Sequence, residues 1–277
     1  MKTLEETLSK MASVGGIGQS LRTHLGAVGI REWSDFTRSS LYELRDHLAS
    51  CGLASASQKT ICAHVKSMLG RVKDDIDIPK DYAKILNVKA SRCLKTYLTE
   101  EDLDKLEAVK TKTLKEEYTK QVFLISAYTG LRFSDATRLT PENIVGNSLH
   151  YSAKKTRKIN AIPLKKGLAE KIAWVNAHPE AAITRSGYNK AIKTLCRWAG
   201  IDEEVFTVHG DVEHRGPKWK YISSHVARVS TATDLSKRGV RIGDIQQLLQ
   251  HSSIQTTERY IIKDQVELSE DAMKFFE

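Results

Sequence analysis

The stretch LKEEYTKQVFLISAYTG, residues 114–130, places the strongest constraint on how this chain can fold. Its second half is apolar on almost every side of a helix, and a helix without a polar face belongs inside a bundle. Gly130 marks its end, because glycine accepts the left-handed conformation that closes many helices. The neighbours needed to cover it are legible on both sides. LTEEDLDKLEAV begins a helix, with Thr99 as N-cap, three acids in the first turn, and Leu103 and Leu106 starting an apolar face. From Ser224, HVARVSTATDLSKR ends in two cations before Gly239, as a helix C-terminus should. IGDIQQLLQ sets Ile245, Leu248 and Leu249 on one face and leads into His251. SLHYSAKKTRKINAIPL is different: two short strands around a very basic turn, with Tyr151 and Ile162 inside the apolar runs. The implied fold class is mainly α with a small antiparallel β-sheet.

Upstream the elements are shorter. Leu41, Leu44 and Leu48 keep helical spacing after Ser40, with Glu43 three residues on as a capping box. Ser55 or Ser57 can cap the next helix, whose stripe is Ile61, Val65, Met68 and Leu69 and whose other face carries Lys59, Lys66 and Arg71. The pattern weakens around Pro79. The expected organisation is a helical domain over 1–75, a linker over 76–97, and a larger domain over 98–277.

Charge narrows the partners. Lys plus Arg number 43 against 34 acidic residues, a net charge of +9, which favours a polyanion such as nucleic acid. Hydrophobic residues at 40% and charged residues at 28% fit a soluble globular protein. No apolar run approaches the roughly 18 residues a membrane span needs. MKTLEETLSKMASVGG is acidic and periodic and lacks a signal-peptide core. Cys51, Cys62, Cys93 and Cys196 are scattered without a CxxC pair, which argues against a structural zinc site or disulfide framework. A reducing cytoplasm and no cofactor or metal are expected.

The polar residues that could do chemistry are individually ordinary. His225 and Arg228 are three apart on one helix and share a face. Arg132 follows the Thr129-Gly130 turn, with Asp135 placed to orient or neutralise it. His251 and Tyr260 are nine residues apart, which on one helix at about 100° per residue would put them on opposite faces. Ser252 and Gln255 form a capping box, however, and predict that one helix stops near His251 and a second begins. The break lets both side chains enter one site.

Two arginines, a hairpin lysine, two histidines and a tyrosine together suit attack on a phosphodiester without metal. Guanidinium groups clamp non-bridging oxygens and stabilise transition-state charge. A phenol is a weak nucleophile at neutral pH, helped by surrounding cations and a nearby base. No paired-carboxylate or HxH cluster accompanies these residues, which disfavours a metal-dependent nuclease.

The strings TGLRFSDATRL, KKTRKINAIPL, SSHVARVSTAT and LLQHSSIQTTERYI resemble, in order, the active-site boxes of the tyrosine recombinase (phage integrase) family. The resemblance covers the second domain. It implies a helical, SAM-like core-binding domain followed by an α+β catalytic domain, the two forming a clamp on duplex DNA. By resemblance, Arg132 and Arg228 would grip the scissile phosphate, and His225 would assist proton transfer. His251 would hydrogen-bond a phosphoryl oxygen, and Tyr260 would form a 3′-phosphotyrosyl link and release a 5′-hydroxyl. Lys155, eight residues before Pro163, best matches the general-acid lysine, with Lys154 and Lys158 as alternatives. Because the link conserves the phosphodiester's energy, no ATP is required.

The chain departs from the family pattern at Val229, where many members have histidine, and at Gln250, where glycine is frequent. TVHGDVEHRGPKWKY is expected as a DNA-facing loop or hairpin. The length leaves little room for an additional arm-binding domain. The resemblance further implies a tetramer on paired sites, with accessory DNA-bending proteins as further partners. It also implies a helix in QVELSEDAMKFFE that docks on a neighbouring protomer or on its own subunit. Rival readings are a type IB topoisomerase-like or telomere-resolving enzyme, and a catalytically inactive DNA-binding protein of the same fold.

Overall fold

The computed structural model describes residues 2–14, 16–89, 95–154, 159–209 and 212–262. The chain divides into two compact units, Met1–Leu94 with Val208–His214, and Lys95–Thr207 with Arg215–Glu277.

The first unit is helical: α1 (Leu4–Val14), α2 (Ile17–Ala27), α3 (Arg38–Ser50), α4 (Ser55–Val72) and the single turn α5 (Tyr82–Ile85). Leucines at three- and four-residue spacing meet at its centre: Leu21 and Leu25 from α2, then Leu41, Leu44 and Leu48 from α3. Ile61, Val65, Met68 and Leu69 complete the core from α4, as their spacing implies. Helix starts differ from expectation by a few residues. Thr37, rather than Ser40, caps α3, its hydroxyl accepting from the Ser40 backbone while Ser40 answers at the Thr37 N–H. Ala54 stands at the N-cap of α4 and offers no side-chain cap, so Ser55 and Ser57 lie within the first turn of the helix. The segment expected as linker also has a different fate. Ile78, Ile85 and Leu86 are buried in this core. Side chains of that kind stabilise by about 2 kcal/mol each when removed from water, so the packed arrangement wins over an extended tether.

The second unit surrounds α7 (Leu114–Thr129). Tyr118, Val122, Phe123, Leu124, Ile125 and Ala127 are buried around its circumference, and α9 (Leu168–Ala177), α10 (Arg185–Trp198) and α11 (Ser224–Lys237) pack against it. The short helices α6 (Glu100–Glu107), α8 (Phe133–Ala136), α12 (Ile242–Leu248) and α13 (Ile254–Glu258) complete the helical part. Thr99 caps α6 with Asp102 reciprocating, as the sequence predicts.

Strands β1 (Ile144–Val145), β2 (Ser148–Ser152) and β3 (Ile159–Pro163) form an antiparallel sheet in that order, with Leu149 opposite Ile162 and Tyr151 opposite Asn160. Alternation buries Leu149, Tyr151 and Ile162 on one face. TVHGDVEHRGPKWKY lies across a second, two-stranded sheet of β4 (Glu204–His209) and β5 (Val212–Pro217). No helix among the described residues is long and apolar enough to cross a membrane.

Gly130 ends α7 with φ +69°. Its missing Cβ matters twice. The backbone is left-handed, and a Cβ there would lie 2.5 Å from Leu249 Cδ2. The turn after α7 can therefore touch the end of α12, and this contact sets the geometry of the site.

Candidate active site

α11 is buried almost all round, from Val226 to Thr233, so its polar residues need internal partners. Arg228 finds two: Nη1 donates to the Gly130 carbonyl and Nη2 to the Leu249 carbonyl. The guanidinium, 2% exposed, thus spans the left-handed turn after α7 and the end of α12. Its Nε is buried with no hydrogen-bond partner.

The end of α12 is a Schellman motif. The His251 N–H donates to the Gln246 carbonyl and the Gln250 N–H to the Gln247 carbonyl. The motif needs a left-handed residue, and Gln250 supplies it at φ +51°. Among the described residues it is the one non-glycine with positive φ, a conformation costing about 1 kcal/mol for a side chain with a Cβ. The physical reason for a glycine at this position is therefore conformational. The break falls where the sequence places it, but by a different device. Ser253, one residue after the expected Ser252, caps α13 by accepting from the Thr256 backbone.

His251 is pinned beyond that turn. Its Nδ1 lies 3.0 Å from Thr257 Oγ1, and its Nε2 is buried without a partner. Tyr260 follows α13 directly. The fully buried Thr233 of α11 donates to the Tyr260 carbonyl and accepts from the Ile262 N–H, which holds the chain on both sides of the tyrosine. Tyr260 is therefore docked: its ring centroid is 4.9 Å from that of His225 and 4.5 Å from that of His251. The Arg228 guanidinium carbon lies 5.7 Å from the same centroid.

Arg132, His225, Arg228, His251 and Tyr260 line one cavity of about 750 Å³. Sequence boxes separated by up to 128 residues thus converge (260 − 132 = 128). Lys155 and Lys158 lie outside the described residues, as does the C-terminal segment QVELSEDAMKFFE. Lys154 is described: it is exposed, and its N–H donates to Asp135 Oδ1 at 3.0 Å. That bond corrects the expectation for Asp135. Its carboxylate, 4% exposed, anchors the β2 end of the basic hairpin rather than serving as a partner for Arg132.

Two cations were not legible as site residues. Lys95 Nζ lies 5.3 Å from the Tyr260 ring centroid, and Arg185, the first residue of α10, lines the cavity. Neither belongs to a motif, and a chain with 43 lysines and arginines offers no local signal to single them out. Ser230 of α11 accepts the Leu98 N–H, which ties the segment after Lys95 to the helix that carries His225 and Arg228.

The cations shape the electrostatics. Burial, then Lys95, Arg228, Arg185 and Arg132, push His225 down to about 4. Burial, then Arg228, Arg132 and His225, lower His251 to about 4. Burial and Arg132 pull Arg228 down to about 10, still cationic at neutral pH. The free site at pH 7 is thus two neutral imidazoles beside a cluster of positive charge, a receptacle for an anion. Stability should follow pH accordingly. Because both histidines titrate lower folded than the 6.5 ordinary for the side chain, the unfolded chain takes up protons first as pH falls. Their contribution is complete above pH 6.5 and is lost on acidification towards about 4. The expected loss is on the order of a few kcal/mol. Thermal melts between pH 7 and 4.5 should show a falling Tm, with a shallower slope in His251→Gln; equal slopes would refute the neutral-imidazole assignment.

The phage integrase family profile matches residues 96–267, the stretch holding Arg132, Arg185, His225, Arg228, His251 and Tyr260. The chain belongs to the phage integrase family. A curated relative, tyrosine recombinase XerD of Oceanobacillus iheyensis, is 25% identical over 257 residues, spanning 82% of this chain and 78% of the relative. Among solved structures, a lambda integrase (75–356) dimer bound to a COC′ core site superposes with TM-score 0.68 at 16% identity. That match covers 96% of this chain and 98% of the other. XerH recombinase bound to palindromic difH substrate gives 0.67 at 16% identity, covering 99% and 84%. The mainly α architecture with a small antiparallel sheet is the fold of these integrase-family structures.

Proposed function

We propose that this chain is a site-specific DNA recombinase that cleaves and rejoins duplex DNA through a covalent 3′-phosphotyrosyl intermediate at Tyr260. The observation that carries the reading is the pair of buried atoms, Arg228 Nε and His251 Nε2, left without partners in a cationic cavity beside the Tyr260 ring. Unpartnered buried polar groups are costly, and a phosphate oxygen would satisfy both. Arg132 and Arg228 clamp the non-bridging oxygens of the scissile phosphate and stabilise the charge of the pentacoordinate transition state. His251 donates from Nε2 when Thr257 donates to its Nδ1. His225, neutral in the free site, accepts the phenolic proton, and the phosphate's negative charge then favours the imidazolium.

Attack by the Tyr260 oxygen forms the O–P bond as the bond to the 5′ oxygen breaks. The hairpin lysine, Lys155 or its neighbours Lys154 and Lys158, protonates that leaving oxygen. A 5′-hydroxyl from a second duplex reverses the step, joining new partners with no energy input. Paired exchange requires four such sites, so the working form is a homotetramer on two DNA sites. Integration, excision, inversion and resolution all follow from this one chemistry and differ in how the sites are arranged.

The test is covalent capture. Cells expressing the chain are lysed in SDS, protein–DNA adducts are isolated, and the attached DNA ends are sequenced. The expected product is DNA joined through its 3′ phosphate to the peptide containing Tyr260, enriched at a defined sequence. DNA that is bound but never covalently joined would instead mark a binding-only protein of this fold.

A further inference from the structure

The first unit holds a group of side chains with no part in the chemistry above. His24 lies in the last turn of α2, His47 in the last turn of α3, and Cys51 at the C-cap of α3. Among the described residues, these three have ligand atoms that all fall within 4.8 Å of one another. His24 Nδ1 is 3.2 Å from His47 Nε2, and Cys51 Sγ is 3.5 Å from the same His47 nitrogen.

We propose that His24, His47 and Cys51 bind a zinc-type divalent transition-metal ion. Two of the three edges have the spacing of a tetrahedral face. With zinc–nitrogen bonds of about 2.05 Å and a zinc–sulfur bond of about 2.3 Å, tetrahedral angles set nitrogens about 3.3 Å apart and sulfur about 3.6 Å from nitrogen. The two measured edges lie close to those values; the sulfur also lies 3.7 Å from His47 Nδ1, so the His47 ring turns its Nε2 towards the ion on binding. Donor chemistry agrees: imidazole and thiolate together select zinc and its soft neighbours over magnesium or calcium.

The surroundings favour a cation as well. Both α2 and α3 end here, and each helix C-terminus directs about half a negative charge at the group. On binding, the Cys51 thiol releases its proton to solvent, so one thiolate and two neutral imidazoles leave the site with a single positive charge. Cys51 is exposed, which leaves the fourth position open to water. The ligands come from two helices 23 residues apart along the chain, so a bound ion would staple α2 to α3 (47 − 24 = 23). The spacing of cysteines alone gives no hint of it, since only one thiol takes part. His47 and Cys51 are four apart on one helical face, and the third ligand arrives only through folding.

The probe is cobalt(II), added to tag-free full-length protein purified with chelator and reductant. One equivalent should produce the visible absorption of a tetrahedral site and a near-ultraviolet thiolate charge-transfer band. One equivalent of zinc should then displace it. Cys51→Ser should lose the near-ultraviolet band and weaken binding by about tenfold or more. The double variant His24→Ala, His47→Ala should lose both signals while keeping its helical circular dichroism. Zinc at a hundredfold excess over its Kd should raise the Tm of the wild type by about 5 °C and leave the double variant unmoved. Absence of a saturable cobalt band would overturn the proposal and leave His24 and His47 as a hydrogen-bonded imidazole pair. Bands that persist in the double variant would also overturn it, because the metal would then sit elsewhere, for instance on His225 and His251.

Discussion

Tyr260→Phe should eliminate the covalent protein–DNA adduct and lower recombination by at least about four orders of magnitude, while DNA binding stays within a few-fold of wild type. The substitution removes one oxygen and its interaction with the Arg228 guanidinium, and leaves the main-chain grip on the segment intact. Thr233 grips the main chain on both sides of residue 260 through the carbonyl of Tyr260 and the N–H of Ile262, and neither bond involves the phenol. The ring also keeps its packing against the small core of Ala232, Ile245 and Leu249. A phenylalanine therefore sits where the tyrosine does, and any loss reports chemistry rather than folding. Gel-shift titration and SDS-resistant adduct formation on the captured site measure the two quantities separately. An adduct formed by Tyr260→Phe would mean that a different residue attacks.

Arg228→Ala should lower the rate of adduct formation by about a thousandfold or more, with an effect on stability that is small by comparison. Two large terms oppose each other in the fold. Removing the guanidinium orphans the Gly130 and Leu249 carbonyls, at about 1 to 3 kcal/mol each. It also removes a buried cation beside Arg132, whose desolvation and repulsion cost several kcal/mol in the free protein. No comparable cancellation exists for the reaction, where the same group would face a phosphate gaining charge. Arg228→Lys should rescue little of the rate, because an ammonium cannot span two carbonyls and also present a planar fork to phosphate. Single-turnover adduct kinetics set beside thermal melts would check both halves. A Tm falling by more than about 10 °C with a proportionate loss of DNA binding would recast Arg228 as a structural brace.

Both predictions rest on residues named from their order in the chain, and the reason is local. Helix periodicity places His225 and Arg228 on one face of α11, and Gly130 ends α7 just before Arg132 because the turn needs positive φ. The break between His251 and Tyr260 was visible as polar residues able to cap. Its mechanism was not. The Gln250 turn closes on the Gln246 and Gln247 carbonyls, Arg228 holds the Leu249 carbonyl beside it, and Ser253 rather than Ser252 caps the next helix.

Resemblance to the family's boxes named the candidate residues from Arg132 to Tyr260, while local sequence pattern determined the buried helix α7, the leucine stripes of both cores and the strands of the basic hairpin. Those features come from periodicities and turn chemistry within a few residues, which a linear string records. Tertiary structure alone decided the rest. It drew Ile78, Ile85 and Leu86 out of an expected linker into a core, turned Asp135 from Arg132 towards the Lys154 N–H, and brought Lys95 and Arg185 to the site. It also set His24 against His47 and Cys51. In each of these cases a side chain meets a group far along the chain, and no local spacing encodes which charge or donor folding will bring beside it.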